Sequence, residues 1–423
     1  GGIVITASHN PKEYNGYKVY DETGCQLVDH KIAKVIEYVN EIEDETSVDL
    51  SIGDSALVHE LDEAFDRKYL DRLKDIVINN EEKKVRIVFS SQHGTSYPLV
   101  PNVLTELGYD VTVVKEQEAY DPNFSHTKSP NPEEKASFEL ALRYADEVDA
   151  HLILVCDPDA DRMGIAIKHE GDFHYLTGND GGAILQAYIY STLDQQGTMP
   201  LNPVMFNTVV TSDLGEKIAR SYGVDVEKTL TGFKYIGEKI EAHNQKNDKQ
   251  FVFGYEESYG YLLKDFVRDK DALQACLMVS EAANYYLNRN QTLLDVLYGL
   301  FETHGAYYDH LESLSLQGQQ GLERIQRILS HFRDHELKNI DTIKVLYKED
   351  YLFQKDTRGN VLEFPKSNVL KYYLEDGSWI ALRPSGTEPK CKIYYNIKDE
   401  TLDKAKAKFK TLSNTLNAII DTI

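Results

Sequence analysis

The sequence predicts consecutive α/β domains with mixed sheets, followed by a smaller C-terminal α+β domain. Three observations carry that reading. Short apolar runs alternate with helical stretches from residue 85 to about 303, the pattern of layered α/β units. From about residue 310 the texture changes to one helix and then closely spaced Tyr- and Val-rich strands. The length of 423 residues accommodates about three domains at roughly 150 residues each, with two or four also allowed.

Taken in order, Gly1-Gly2-Ile3-Val4-Ile5 reads as a strand already under way. With no Met ahead of it, the chain is expected to be a fragment or a processed product. Helical apolar spacing covers 31–43 and 56–79, and Glu81-Glu82-Lys83-Lys84 is a solvated break. A fresh unit starts at the strand Val85-Arg86-Ile87-Val88-Phe89. It continues through a helix near 97–107, a strand at 110–114, a helix at 133–146 and a strand at 152–155. Leu176-Thr177-Gly178-Asn179-Asp180 opens another unit, with Asn179 or Asp180 as helix N-cap. That unit should hold helices at 180–193, 213–222 and 234–245, long helices near 270–303, and strands at 203–210 and 251–255. The last part should contain a helix at 319–337, strands at 343–347, 369–373, 378–383 and 391–396, and a closing Lys/Ala-rich helix. The expected domains are therefore 1–60, 61–177, 178–305 and 306–423.

Charge narrows the functional classes. Lys and Arg number 46 against 69 Asp and Glu, a net charge of −23. Such a polyanion repels nucleic acid and anionic membranes, so neither is an expected partner. A phosphorylated small-molecule substrate would need locally gathered cations. Cys25, Cys156, Cys276 and Cys391 lie far apart in sequence with no metal spacing, which excludes structural zinc and predicts reduced thiols in a cytoplasmic protein. No apolar run reaches the ~18–20 residues of a membrane span.

Four loops carry candidate chemistry. Asp157-Pro158-Asp159-Ala160-Asp161-Arg162 follows the apolar run Leu152–Val155. Three carboxylates at alternate positions in one tight loop ionise together only with a cation among them, and hard oxygen ligands select Mg²⁺, Mn²⁺ or Ca²⁺. A calcium-binding EF-hand needs Gly at its sixth position and Glu at its twelfth, where Arg162 and Lys168 stand. Thr6-Ala7-Ser8-His9-Asn10-Pro11 puts a serine in a turn after a strand; it gains meaning beside a divalent ion, where serine suits phosphoryl chemistry. Arg383-Pro384-Ser385-Gly386-Thr387-Glu388-Pro389-Lys390 assembles a guanidinium, two hydroxyls, a glycine N–H and a lysine, the parts of an anion cradle. Gly254-Tyr255-Glu256-Glu257-Ser258-Tyr259-Gly260 offers a carboxylate and a hydroxyl suited to sugar hydroxyls. The nucleotide signatures GxxxxGK[ST] and GxGxxG are absent.

In this order the four loops resemble those of the α-D-phosphohexomutase superfamily, the phosphoglucomutases and phosphomannomutases, over essentially the whole chain. The double Glu before Ser258 and Thr231-Gly232-Phe233-Lys234 resemble the phosphoglucomutase branch. The resemblance implies that Ser8 carries the phosphoryl group and that Asp157, Asp159 and Asp161 hold Mg²⁺ with an oxygen on Ser8. It implies that Arg162 steadies that phosphate, and that His9, Lys18 and Lys270 assist proton transfer or bind the transferring group. Glu256 and Ser258 would read ring hydroxyls, and Thr231 and Gly232 the sugar's orientation. Arg383, Ser385, Gly386 and Thr387 would grip the non-reacting phosphate. The implied reaction interconverts glucose 1-phosphate and glucose 6-phosphate, with glucose 1,6-bisphosphate as intermediate and activator, in a monomer or homodimer. The family's first domain usually has more than a hundred residues ahead of the serine loop, so residues 1–60 are expected to be the remainder of that domain, and this chain itself is expected to be inactive or nearly so. An Asp-rich loop after a strand also suggests a haloacid-dehalogenase-type phosphatase, which would leave Arg383-Pro384-Ser385-Gly386-Thr387 unexplained.

Overall fold

The computed structural model describes residues 1–49, 51, 55–385 and 389–423. The chain opens with β1 (Gly2–Ile5) and β2 (Tyr17–Tyr20), paired antiparallel with Ile3 opposite Val19. Helices α1 (Asp29–Asn40) and α2 (Glu63–Lys74) follow. The second is shorter than its apolar spacing suggests because Asp62 caps it, accepting from Ala64 N. Ile3, Ile5, Leu57 and Leu61 in this opening stretch are exposed.

Next come β3 (Arg86–Ser90), α3 (Leu99–Glu106), β4 (Asp110–Val113), α4 (Glu139–Glu147), β5 (Leu152–Cys156), β6 (Met163–His169) and β7 (Asp172–Leu176). Their sheet has the order β4-β3-β5-β6-β7. Its first three strands are parallel and its last two antiparallel. β5 is buried along its whole length, as its unbroken apolar run requires. Val88, Ile153 and Val155 pack with Ala141 and Ala145 of α4. The hairpin β6-β7 has no counterpart in the sequence reading, which ended this unit's strands at residue 155.

Then follow α5 (Gly178–Gln196), β8 (Pro203–Thr208), α6 (Asp213–Ser221), β9 (Asp225–Thr229), α7 (Phe233–Lys246), β10 (Gln250–Glu256), β11 (Gly260–Leu262), α8 (Ala272–Leu287) and α9 (Leu293–His304). The N-cap of α5 is Thr177, in a reciprocal box with Asp180, two or three residues earlier than expected. Four strands form a sheet in the order β11-β10-β8-β9. The long helices expected near 270–303 are α8 and α9, parted where Asn290 takes a left-handed φ of 57°.

The remainder is β12 (Ala306–Ser315), α10 (Gly318–Asp334), β13 (Asn339–Ile340), β14 (Ile343–Asp350), β15 (Lys355–Asp356), β16 (Leu370–Leu374), β17 (Trp379–Pro384), β18 (Lys390–Asp399) and α11 (Leu402–Asp421). They build an antiparallel sheet in the order β12-β18-β17-β16-β14-β13, with β15 on β14. Ile328 and Phe332 of α10 and Leu412 and Leu416 of α11 cover Leu370, Ile380, Leu382 and Ile393. The long strand β12 was not expected.

The chain divides into two compact units. One comprises Gly1–Asn207, Tyr222–Glu227 and Gly232–Leu294; the other comprises Thr208–Ser221, Lys228–Thr231 and Asp295–Ile423. Among the described residues, no helix is long and apolar enough to cross a membrane.

Candidate active site

In the first unit, β5 runs straight into the acidic loop. Asp157 is fully buried, and its Oδ1 accepts from the backbone N–H groups of Asp161 at 3.0 Å and Arg162 at 2.8 Å, folding the loop back on itself. Ala160 takes a left-handed φ of 57° to complete the turn. One carboxylate oxygen from each of Asp157, Asp159 and Asp161 lies within 4.8 Å of the others. The loop is backed by the segment after β3. Thr95 N donates to Pro158 O at 2.9 Å, and a Cβ on Gly94 would collide with the Pro158 backbone. Only glycine permits that approach.

The serine turn lies against this loop. Ser8 Oγ donates to Asp157 Oδ2 at 3.2 Å and stands 3.1 Å from His9 Nδ1. Ser8 itself has a φ of 54°, a strained conformation of the kind retained at functional sites. Thr6 fixes the turn from both sides: its Oγ1 accepts from Ser8 N at 2.8 Å and donates to Asp159 Oδ2 at 3.1 Å.

Two lysines close on the third aspartate. Lys18 Nζ lies 2.8 Å and Lys270 Nζ 2.9 Å from Asp161 Oδ2. Gly260 makes room for the Lys270 stem, which any Cβ there would strike. Burial alone would lower both ammonium pKa values, but Asp161 and Asp269 around them prevail and raise them. Burial likewise opposes ionisation of Asp161, yet Lys270, Lys18 and Arg162 hold its carboxyl far below the usual range. Asp157 goes the other way. Burial, then the Asp161 and Asp159 charges, push its carboxyl well up.

This donor set suits a divalent cation. Asp159 Oδ1 and Asp161 Oδ1 are buried without a hydrogen-bond partner, a costly state that a bound cation would relieve. The all-oxygen ligands suit Mg²⁺ and its hard relatives. Residues and group therefore fit.

Around this centre, Arg162 Nη1 donates to Glu133 Oε1 at 2.5 Å. Glu256, buried at the end of β10, accepts from Gly232 N at 2.7 Å, and Gly232 opens α7 with a φ of 120°. Ser258 sits half-buried in the turn to β11. The structure thus brings Ser8, His9, Lys18, Asp157, Asp159, Asp161, Arg162 and Lys270 into one contact network and joins Glu256 to Gly232.

Thr231, Arg383 and Ser385 belong to the second unit. Thr231 Oγ1 is buried without a partner. Arg383, next to last in β17, lies directly opposite Lys392 of β18, gathering two cations on one hairpin. Ser385 N donates to Lys390 O at 2.7 Å. Gly386 and Thr387 lie outside the described residues. Sequence reading did not single out Thr6, Gly94, Thr95, Glu133 or Gly260. The run Gln92-His93-Gly94-Thr95 directly after a strand was the one signal that could have pointed to a second loop beside the aspartates.

The chain is similar to known proteins along nearly its whole length. Family descriptions for phosphoglucomutase/phosphomannomutase match in four consecutive pieces: alpha/beta/alpha domain I at residues 1–46, domain II at 67–171, domain III at 177–304 and the C-terminal domain at 333–409. A phosphoglucomutase of Staphylococcus saprophyticus is 36% identical over 433 residues, covering 99% of this chain and 77% of the relative. One of Staphylococcus aureus is 37% identical over 422 residues, covering 97% and 75%. Among solved structures, the phosphoglucomutase pp63/parafusin of Paramecium superposes with a TM-score of 0.68 at 20% identity, covering 100% of this chain and 78% of that one. A phosphoglucomutase/phosphomannomutase family protein of Burkholderia thailandensis gives 0.63 at 17% identity, covering 98% and 76%.

Proposed function

We propose that this chain, which belongs to the phosphoglucomutase/phosphomannomutase family, is a phosphohexomutase that interconverts glucose 1-phosphate and glucose 6-phosphate through phospho-Ser8 and a glucose 1,6-bisphosphate intermediate. The observation that carries this reading is Ser8 Oγ lying 3.2 Å from Asp157 Oδ2, inside a cluster of three aspartates and two lysines. Phosphoryl transfer asks for positioning and charge neutralisation more than for covalent help from the protein. Asp157, Asp159 and Asp161 would hold Mg²⁺ with a Ser8 phosphoryl oxygen. When bound, that ion neutralises charge on the transferring group.

In the first half-reaction the bond from Ser8 Oγ to phosphorus breaks and a bond to the sugar's O6 forms. The sugar hydroxyl gives up a proton, and Ser8 Oγ takes one back. His9 Nδ1, 3.1 Å from Ser8 Oγ, is the side chain best placed to exchange the serine proton. Lys18, Lys270 and Arg162 supply positive charge to the moving phosphoryl group. The second half-reaction reverses these bonds with the phosphate on C1, so that Ser8 regains its phosphoryl group. By resemblance, Glu256 and Ser258 read ring hydroxyls, Thr231 and Gly232 read the sugar's orientation, and Arg383, Ser385, Gly386 and Thr387 hold the non-reacting phosphate. The relatives' names support glucose as the sugar. Four free cysteines among the described residues support a cytoplasmic location.

The test is a coupled assay with glucose 1-phosphate, mannose 1-phosphate and ribose 1-phosphate, each with Mg²⁺ and a trace of the matching bisphosphate. The expected outcome is the highest kcat/KM on glucose 1-phosphate, abolished by EDTA. Turnover that persists in EDTA would overturn the metal assignment, and a preference for another sugar would overturn glucose.

A further inference from the structure

Among the described residues, Arg162 is the one guanidinium in the serine and aspartate network; besides Asp161, 3.9 Å from its Nε, it meets a carboxylate outside every motif discussed above. Glu133 Oε1 accepts from Arg162 Nη1 at 2.5 Å, and the two side chains are 23% and 13% exposed. The contact is built from both ends. Arg162 enters β6 with its backbone N–H bound to Asp157 Oδ1 at 2.8 Å. Two residues on, Gly164 lacks a Cβ that would press on Pro132 and Phe138. The Glu133 loop is thereby seated on the same strand that carries Arg162. The loop is also internally rigid: Pro130 and Pro132 are buried, and Glu133 N donates to Asn131 Oδ1 at 3.1 Å. The guanidinium is not saturated by this partner, because its Nε is buried with no hydrogen bond.

A mutase must grip a phosphate and then let it go twice in each cycle, so a tight, fixed arginine would trap the bisphosphate. We propose that Glu133 is a positioning residue that takes the place of phosphate on Arg162. It holds the guanidinium in its working position between transfers and competes with the phosphoryl group for it, which weakens phosphate binding and speeds release. This rests on the phosphohexomutase reading of the same site. A carboxylate and a phosphate oxygen compete for the same N–H fork, because both accept charge-assisted hydrogen bonds of similar length.

A residue that only props the guanidinium and one that also competes for it predict opposite signs of the change in phosphate affinity. The probe is inorganic phosphate, titrated by calorimetry with Mg²⁺ present into dephosphorylated protein carrying Arg383→Ala, so that the other candidate phosphate loop contributes little. In that background Glu133→Gln should bind phosphate about tenfold more tightly, the scale of one charge-assisted hydrogen bond. In otherwise unaltered protein, Glu133→Gln should lower KM and kcat for glucose 1-phosphate together, the split expected when release is slowed. Glu133→Asp, whose shorter side chain reaches Arg162 poorly, should shift phosphate affinity in the same direction by less, and it serves if the glutamine variant does not fold. Unchanged or weaker phosphate binding in the folded variant would overturn the inference. Absence of mutase turnover in the unmodified protein would instead overturn the reading on which it rests.

Discussion

Asp161→Asn separates the electrostatic role of Asp161 from its shape. The substitution keeps the side chain's size and removes the charge that two ammonium groups share, at 2.8 Å from Lys18 and 2.9 Å from Lys270. Asp161 is 7% exposed and Lys270 12%, so Lys270, left with the less direct charges of Asp269 and Glu256, cannot simply be solvated; Lys18, at 21% and 3.5 Å from Asp159, can in part. Removing one partner of a buried ion pair costs about 3–5 kcal/mol, and the partial exposure of Lys18 favours the lower end, about 3 kcal/mol. For a unit of this size each kcal/mol moves Tm by roughly 2–4 °C, so a fall of about 6–12 °C is expected in EDTA. Differential scanning calorimetry of the intact protein reads this transition. The sole tryptophan, Trp379, lies in the second unit and marks the other one by fluorescence. Adding Lys270→Met to Asp161→Asn should recover part of the loss, because it removes one uncompensated charge. A Tm for Asp161→Asn within about 1 °C of the unmodified protein would refute the argument, since a loss of about 3 kcal/mol could not go unseen.

Three other outcomes follow from single contacts. Lys371 is wholly buried, donates to Val209 O at 2.8 Å and lies 3.9 Å from the Trp379 ring centroid. Burial first, then Lys228, lowers its pKa from 10.5 to about 7, with Asp213, Glu216 and Glu349 opposing. The unfolded chain therefore holds a proton that the folded one releases between these values. Stability of the second unit should rise from pH 7 to about 10, carrying a penalty on the order of 5 kcal/mol below that window, and Lys371→Met should flatten the Trp379-monitored profile. Gly94→Ala should weaken Mg²⁺ or Mn²⁺ binding by tenfold or more on the order of a 1.4 kcal/mol disturbance, because its Cβ displaces the Pro158 backbone; an unshifted titration would show that the loop tolerates the push. Arg383→Ala should raise KM for the sugar phosphate by roughly tenfold to a hundredfold, with partial recovery in Arg383→Lys, while three equal KM values would mean that the phosphate is held elsewhere.

What could be read from the sequence was what lies close along it. Asp157, Asp159 and Asp161 share one short loop, so their alternation already implied a cation, and the folded loop puts their oxygens together. The unbroken apolar run before them announced a buried strand in the same way. What escaped was what depends on distant partners. Glu133 gains its meaning only from Arg162, 29 positions on, and Thr6 from Asp159, 153 positions on. Gly94 was passed over because only the folded chain sets the Pro158 backbone against it. Among the strands, β6 was missed because its run Met163-Gly164-Ile165-Ala166-Ile167 follows directly on a charged loop. β12 was missed because Asp309, His310 and Glu312, polar residues on both of its faces, dilute its apolar ones.

The central claim, that Ser8 is the phosphoryl reservoir of a mutase cycle, is tested most directly by incubating the protein with glucose 1,6-bisphosphate labelled in its phosphates and mapping the label by peptide mass spectrometry. The account predicts a gain of about 80 Da on the peptide containing Ser8, discharged by added glucose 1-phosphate or glucose 6-phosphate and absent from Ser8→Ala. Label on another residue, or mutase turnover retained by Ser8→Ala, would contradict it.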